Sequence, residues 1–307
     1  MTSAPPKRIA ILGFGLIGGS VARALAEARS SLPTGSGHPS VVAWSPTGRG
    51  ARQGLADGVI DAAEPTMLEA LDGAELVILS APPLETIDLI AQIGDEDRGR
   101  MTAGAVITDV ASTKGAVMAA AARAGVRFVG GHPMAGVEAT GYEAARADLF
   151  VDRPWVIVPP VPSDPEAVAV VRWLVATCRA RSMELGAADH DAAVAAISHL
   201  PLVLSAALVE AVAGSAEGSD PDPAWPLAAE LAAGGWASMT RLARGDARMG
   251  AGIAATNAAA LAGNLRRYRT VLDDWISALE RKGGVDAEAL EARFRAARAR
   301  LLGRDPS

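Results

Sequence analysis

Cysteine is nearly absent: the 307-residue chain holds one thiol, Cys178. No disulfide and no cysteine-based metal site can form within one chain. That points to a reducing compartment, the cytoplasm, and no metal is expected. Cys178 lies in the apolar helical pattern VVRWLVATC and reads as a core residue. Positive charge is not in excess. The formal net charge is −6, which argues against nucleic acid or an anionic membrane as partner. A signal-peptide pattern is missing, because the first apolar run is short and passes straight into a glycine turn. One stretch, 194–214, has the length of a membrane span. It holds His199, Pro201 and Glu210 and follows Asp189 and Asp191, so it reads as a helix buried between domains or subunits. No internal repeat is present, no regulatory domain is read, and no clear strand is seen after about residue 188.

What is present is a large apolar fraction, 50% of residues, enough for a sizeable core. Short apolar runs at 7–12, 40–44, 74–83, 105–112, 126–133 and 154–160 read as strands, several of them separated by helical spacing. Near-continuous apolar strands alternating with helices imply an α/β, mostly parallel, doubly wound sheet of the Rossmann type. Loops rich in Gly, Pro and Ser fall at 30–39, which holds a solvated His38, and at 214–223. Ala-rich helical patterns cover 189–213, 224–244, 248–282 and 286–302. The chain is therefore expected to divide into a dinucleotide-binding domain, 1–187, and an all-α helical domain, 188–307. The last helix carries Arg293, Arg295, Arg298, Arg300 and Arg304, cations suited to a helix C-terminus.

The segment GFGLIGGS places Gly13, Gly15 and Gly18 in G-x-G-x-x-G spacing, with Leu16 and Ile17 between the last two. The pattern is weak alone and specific here, because it follows a strand and opens a helix. The first glycine permits the turn, the second admits a pyrophosphate, and the third lets helix and strand pack closely. The helix N-terminus supplies N–H donors and a positive dipole end. At the end of the second strand an acid would accept from the ribose of NAD. Ser45 stands there instead, followed by Thr47, Arg49 and Arg52. Without the carboxylate a 2′-phosphate is not repelled, so NADP is favoured over NAD. Arg49 and Arg52 also fit a plain charged loop.

Ligands of an open parallel sheet sit outside the carboxyl ends of its strands. SAPP brings Ser80 and Pro82 there, TDVASTKG brings Asp109, Ser112 and Lys114, and GGHPMAGVEATG brings His132 and Glu138. Taken singly, Asp109 also suits a helix cap, Lys114 a solvated cation and Glu138 a cap. His132 is set among glycines that are expected to clear room for a nicotinamide and a small ring. Beside a nicotinamide, a histidine is the natural base for a hydroxyl proton as hydride leaves the same carbon. Ser112 is placed to hold the histidine or the substrate hydroxyl.

GFGLIGGS, TDVASTK, GGHPMAGVEATG, ADHDAAVAAISHLP and GGWASMTRLARGD, in that order over roughly 8–260, resemble the prephenate and arogenate dehydrogenases of tyrosine biosynthesis. The resemblance implies a Rossmann-type domain followed by a helical domain that forms a homodimer. It also implies oxidation of a cyclohexadienol 4-hydroxyl by hydride transfer to NAD(P), with loss of the ring carboxylate as CO₂. By that resemblance His132 is the base, Ser112 its orienting partner, and Arg241 a bidentate fork for a substrate carboxylate. His199 contributes from the helical domain, unless it merely occupies the first turn of a helix capped by Ser198. Glu138 acts at the ring or amino end of the substrate, or caps the next helix. Two departures stand out. Leu202 replaces a second histidine of the SHLPH pattern, and Ala237 and Gly250 replace a lysine and a tryptophan. Losing cationic and polar groups there favours arogenate over prephenate, and the region is most similar to the cyanobacterial-type arogenate dehydrogenases, which use NADP. A β-hydroxyacid dehydrogenase would instead need a lysine after the domain junction, where this chain has His199 and no lysine before Lys282. A non-catalytic dinucleotide sensor would leave the His, Ser and Arg unexplained.

Overall fold

The segment RIAIL, Arg8–Leu12, shows how the sheet is built. Ile9 and Ile11 point into one core while Ala10 and Leu12 point into another on the opposite face. The same alternation holds for Val41 and Ala43 against Val42, and for Leu76 and Ile78 against Val77 and Leu79. A strand covered on both faces needs apolar residues at every position, which is why these runs are continuous rather than alternating.

The computed structural model describes residues 5–30, 38–136, 139–214 and 220–303. Among them the strands are β1 (Arg8–Leu12), β2 (Ser40–Trp44), β3 (Ala62–Ala63), β4 (Leu76–Leu79), β5 (Val106–Asp109), β6 (Phe128–Pro133), β7 (Pro154–Val158) and β8 (Arg181–Glu184). They form one sheet in the order β3-β2-β1-β4-β5-β6-β7-β8. All neighbours are parallel except β6 and β7, where His132 faces Val156 in antiparallel register. The strand order reverses between β1 and β4, so a crevice opens at their carboxyl ends.

Helices Leu16–Ser30 and Pro165–Thr177 cover one face; Pro83–Gln92 and Gly115–Ala124 cover the other. Local chemistry sets several boundaries. Asp164 accepts from the Ala167 amide at 3.0 Å and Pro165 opens the helix behind it. Gly125, at φ 61°, closes helix Gly115–Ala124 in the left-handed region.

Two strands escape the apolar-run reading. β3 is two alanines, and β8, RSME, is exposed at every position. β8 is an edge strand, held by main-chain pairing to β7 rather than by burial. The expected helix from 189 to 213 is a continuous helical run, Ala187–Ala213, with a π turn at Ala195–His199. By length and composition alone it is apolar enough to cross a membrane. The expected 224–244 is three short pieces, and 248–282 breaks at Asn257 into Ala247–Thr256 and Ala258–Leu279. Contacts divide the chain into Met1–Ala260 and Leu261–Ser307, while the alternation of strand and helix ends with β8. In the second unit Trp275 and Phe294 pack with ring centres 5.1 Å apart, and the Arg293 guanidinium covers Trp275 at 4.0 Å.

Cys178 follows helix Pro165–Thr177 and is fully enclosed; burial pushes its thiol up to about 12. A thiol reagent at pH 8 is expected to leave the folded protein unlabelled and to titrate one group per chain in denaturant. Rapid labelling of folded protein would show that this helix end opens.

Candidate active site

The crevice between β1 and β4 is a cleft of about 560 Å³ lined by Gly13, Gly15, Ser45, Thr47, Arg49, Ser80 and Pro82, among others. Its floor explains the glycines. Gly13 has φ 97°, and a Cβ there would lie 2.1 Å from the Ser80 carbonyl oxygen. A Cβ on Gly18 would meet the Gly13 oxygen at 2.3 Å, whereas one on Gly15 would meet nothing within 4 Å. The outer glycines are demanded by the turn, and the middle one leaves main chain open to a ligand. The amides that follow belong to the start of helix Leu16–Ser30, an anion site by geometry. A dinucleotide fits this cradle.

The second strand ends without an acid. Arg49, however, is engaged by Glu143 at 2.6 Å, and Arg52 donates to the Thr47 carbonyl at 3.2 Å. Arg248 pairs with Glu85, joining helix Ala247–Thr256 to helix Pro83–Gln92 along the same cleft.

Further along the sheet, β5 and β6 carry a buried ion pair. Lys114 Nζ contacts Asp109 Oδ2 and donates to the Gly131 carbonyl at 2.8 Å. Asp109 also accepts from the amides of Ala111 at 3.0 Å and Gly131 at 2.9 Å. Both side chains are wholly enclosed. Burial pushes Lys114 down and Asp109 up, against their mutual attraction. Lys114 is thus a structural cation, not a solvated one. Asp109, expected at the cofactor, has its carboxylate turned into the protein.

His132 sits at the end of β6, directly after this pair. Its Nδ1 is 2.8 Å from Nε2 of His190, and His190 Nδ1 is 2.8 Å from Asp191 Oδ1. Burial, reinforced by the charge of Lys114 and by His190 and His199, holds the His132 imidazole well below its ordinary 6.5. It is neutral at physiological pH and available as a base. Asp191 also caps a distant helix, accepting from the amides of Lys114 at 2.7 Å and Gly115 at 2.8 Å. Burial alone would raise Asp191; hydrogen bonds from His190, Gly115 and Lys114 outweigh it and keep the carboxyl ionised.

The π turn Ala195–His199 delivers His199, buried, with Nδ1 3.2 Å from Asn257 Nδ2. Burial lowers its affinity for a proton, partly offset by Asp191. Ser198 caps nothing: the helical run continues through it. The Ser112 main chain lies toward the His199 ring. Ser112 Oγ and His199 Nε2 are both buried without a hydrogen-bond partner. Orphaned polar atoms are rare unless a ligand or water completes them.

Sequence and structure part at several points. Ser112 was expected to orient His132; the partner on Nδ1 is His190. The glycines before His132 do not clear ligand space. A Cβ on Gly131 would lie 2.4 Å from the Asp109 carbonyl oxygen, and one on Gly130 would lie 3.1 Å from Lys114 Cδ. They admit the buried lysine and its strand neighbours. Arg241 is exposed at the start of the turn Leu242–Arg244. Leu202 is half-buried, and a Cβ on Gly250 would lie 3.9 Å from its Cδ2, so the two departures from the resembling pattern are neighbours. Leu16, Ile17 and Gly18 shape the turn without lining the cleft. Glu138 lies outside the described residues. His190, Asp191 and Asn257 were missed as site residues. The signal for Asn257 was a lone amide, TN, inside an alanine-rich run.

The fold and the dinucleotide turn define an NAD(P)-dependent oxidoreductase. Family models for the prephenate dehydrogenase nucleotide-binding domain and dimerization domain match residues 37–184 and 186–295. Prephenate dehydrogenase of Lactococcus lactis subsp. cremoris is 28% identical over 94% of this chain and 75% of its own length. The crystal structure of Synechocystis arogenate dehydrogenase is 30% identical, with 95% of this chain and 99% of that chain covered and a TM-score of 0.73. The fold also matches prephenate dehydrogenase from A. aeolicus, at 22% identity and TM-score 0.83 over 97% and 98% of the two chains. The chain belongs to the prephenate dehydrogenase family, which includes arogenate-using members.

The buried pair makes a stability prediction. Lys114→Met strands the Asp109 charge and is expected to cost about 3–5 kcal/mol in denaturant unfolding. Adding Asp109→Asn removes that charge and should recover a large part of the loss. A double variant no more stable than the single one would show that the pair is not the source.

Proposed function

We propose that this enzyme converts arogenate to tyrosine by oxidative decarboxylation with NADP. The observation that carries the reading is the gathering of a neutral His132, an orphaned Ser112 Oγ and an orphaned His199 Nε2 beyond the dinucleotide cleft. The bound nicotinamide supplies the hydride acceptor. His132 takes the proton of the ring 4-hydroxyl as the C4–H hydride leaves. Ser112 and His199 hold the ring by its polar groups. Arg241 offers a bidentate donor pair to a substrate carboxylate. Glu138 acts at the ring or amino end.

Arogenate is preferred to prephenate in this reading because Leu202 and Gly250 adjoin without a cationic or indole group between them. A pyruvyl group would meet Leu202 where the resembling SHLPH pattern carries a second histidine. The prephenate reading is the second choice, favoured by the name of the Lactococcus relative. NADP is supported by Ser45 and Thr47 lining the cleft without a carboxylate at the end of β2; Arg49 would exchange Glu143 for the 2′-phosphate. Asp109 contributes there only through the loop it fixes. The functional domains are taken as 1–187 and 188–307, and the protein as cytoplasmic.

The apolar stripe Tyr268, Val271, Leu272, Ile276 and Leu279 on helix Ala258–Leu279 is exposed within its unit and suits a second copy of the chain.

The first test is a spectrophotometric assay of arogenate and prephenate, each with NAD and NADP. Fastest turnover with arogenate and NADP is expected. A clear preference for prephenate would overturn the assignment at Leu202 while leaving His132 in place. His132→Asn is expected to cut turnover about 10²–10⁴-fold, the usual size of a general-base effect, with NADPH affinity retained. Unchanged turnover would remove the base.

A further inference from the structure

The base is backed by groups that no role above uses. His190 Nε2 lies 2.8 Å from His132 Nδ1, and Asp191 lies 2.8 Å behind His190 Nδ1. With His190 uncharged, hydrogen-bond chemistry fixes every proton in this row. An ionised carboxylate only accepts, so His190 Nδ1 carries the hydrogen. A neutral imidazole has one donor and one acceptor, so His190 Nε2 accepts. His132 Nδ1 must then donate, and His132 Nε2 is left with its lone pair toward the site. Asp191 cannot turn away, because its Oδ1 and Oδ2 also take the amides of Lys114 and Gly115. His190 is almost fully buried, so water does not compete for it.

We propose that His190 and Asp191 are positioning residues that lock His132 in the tautomer with a free Nε2 and share the positive charge when it becomes protonated. This rests on the reading of His132 as the base. In the step, the substrate O–H bond breaks and its proton forms an N–H bond at His132 Nε2. The Nδ1–H stays directed at His190, and the charge is held between the rings against the Asp191 carboxylate. The other groups facing His132 are unhelpful to a cation: Lys114, His199 and any positive charge on His190 itself oppose its protonation, and Asp109 is engaged with Lys114. The row offsets that environment at the moment of proton transfer.

The test needs no substrate at first. The chain has four histidines, so ¹⁵N-histidine labelling of the full-length protein gives a spectrum simple enough to assign, with His132→Asn marking the His132 signals. Near neutral pH, His132 is expected to show a protonated Nδ1 and an unprotonated Nε2. A proton on Nε2 would overturn the proposal whatever any variant does.

Two variants then separate positioning from packing. In His190→Gln the amide oxygen can accept from His132 while its NH₂ donates to Asp191; His190→Leu can do neither. His190→Leu is expected to lose about 10²-fold or more in kcat, and His190→Gln about 10-fold or less. KM and NADPH binding, followed by fluorescence, should change little in either. Equal loss in both variants would sink the relay, because shape rather than hydrogen bonding would then be what matters. The two readings fail differently. If His132→Asn abolishes turnover but Nε2 proves protonated, His132 is still needed for the reaction and the relay falls. If the spectrum is as expected but no cyclohexadienol is turned over, the relay stands and the substrate reading falls.

Discussion

The Asp191 carboxylate joins parts of the chain that are far apart in sequence. It comes from the helical run after β8, yet it caps the helix Gly115–Ala124 that follows β5, accepting from the amides of Lys114 and Gly115. Its own main-chain carbonyl takes the Asn257 amide at 2.8 Å. Hydrogen bonds to a charged acceptor are worth about 1.5–3 kcal/mol each, and more is lost when a buried charge is left without them. The helix start, the His190 ring and Asn257 are therefore held in one arrangement. Moving the helix start or the His190 ring away would take hydrogen bonds from an ionised carboxylate inside the protein.

Beneath this junction the Asp109–Lys114 pair does something different. A buried pair is a poor source of stability, since desolvation of both ions offsets most of their attraction. Here it fixes the loop between β5 and its helix, ties that loop to Gly131 on β6, and places a cation next to His132. The cost of burying it is matched by a local field that keeps the imidazole neutral. Burial and a neighbouring cation in a cleft are a common way of tuning a base.

Much of this was legible in the residues. The six long strands announced themselves because both faces are buried, and the glycine turn because its spacing fell between a strand and a helix. His132 stood out for its surroundings. What could not be read has physical reasons. β8 is exposed and pairs only through main chain, so it leaves no apolar trace. Gly130 makes room for the Lys114 side chain and Gly131 for the Asp109 main chain, long-range facts that no local pattern encodes. His190 and Asp191 looked like polar residues at the start of a helix; only the fold brings them behind β6. Asn257 interrupts an alanine-rich helix to meet Asp191 and His199, which looked from the sequence like one more tolerated polar residue.

The π turn at Ala195–His199 divides one helical run into two α segments with a fixed rotational offset between them. Each residue of an α-helix advances about 100° around its axis. Ahead of the turn are His190 and Asp191, facing β6 and the helix behind β5; beyond it is Leu202, facing Gly250. The wide turn uses about one residue more per revolution than an α turn, so the second segment sits about that angle away from where an unbroken α-helix of the same length would carry it. Point substitutions on the far segment can thus reshape what Leu202 meets without disturbing the histidine row, but loss of the wide turn at constant length would rotate one against the other. The far segment is free to drift in composition and constrained in its rotation.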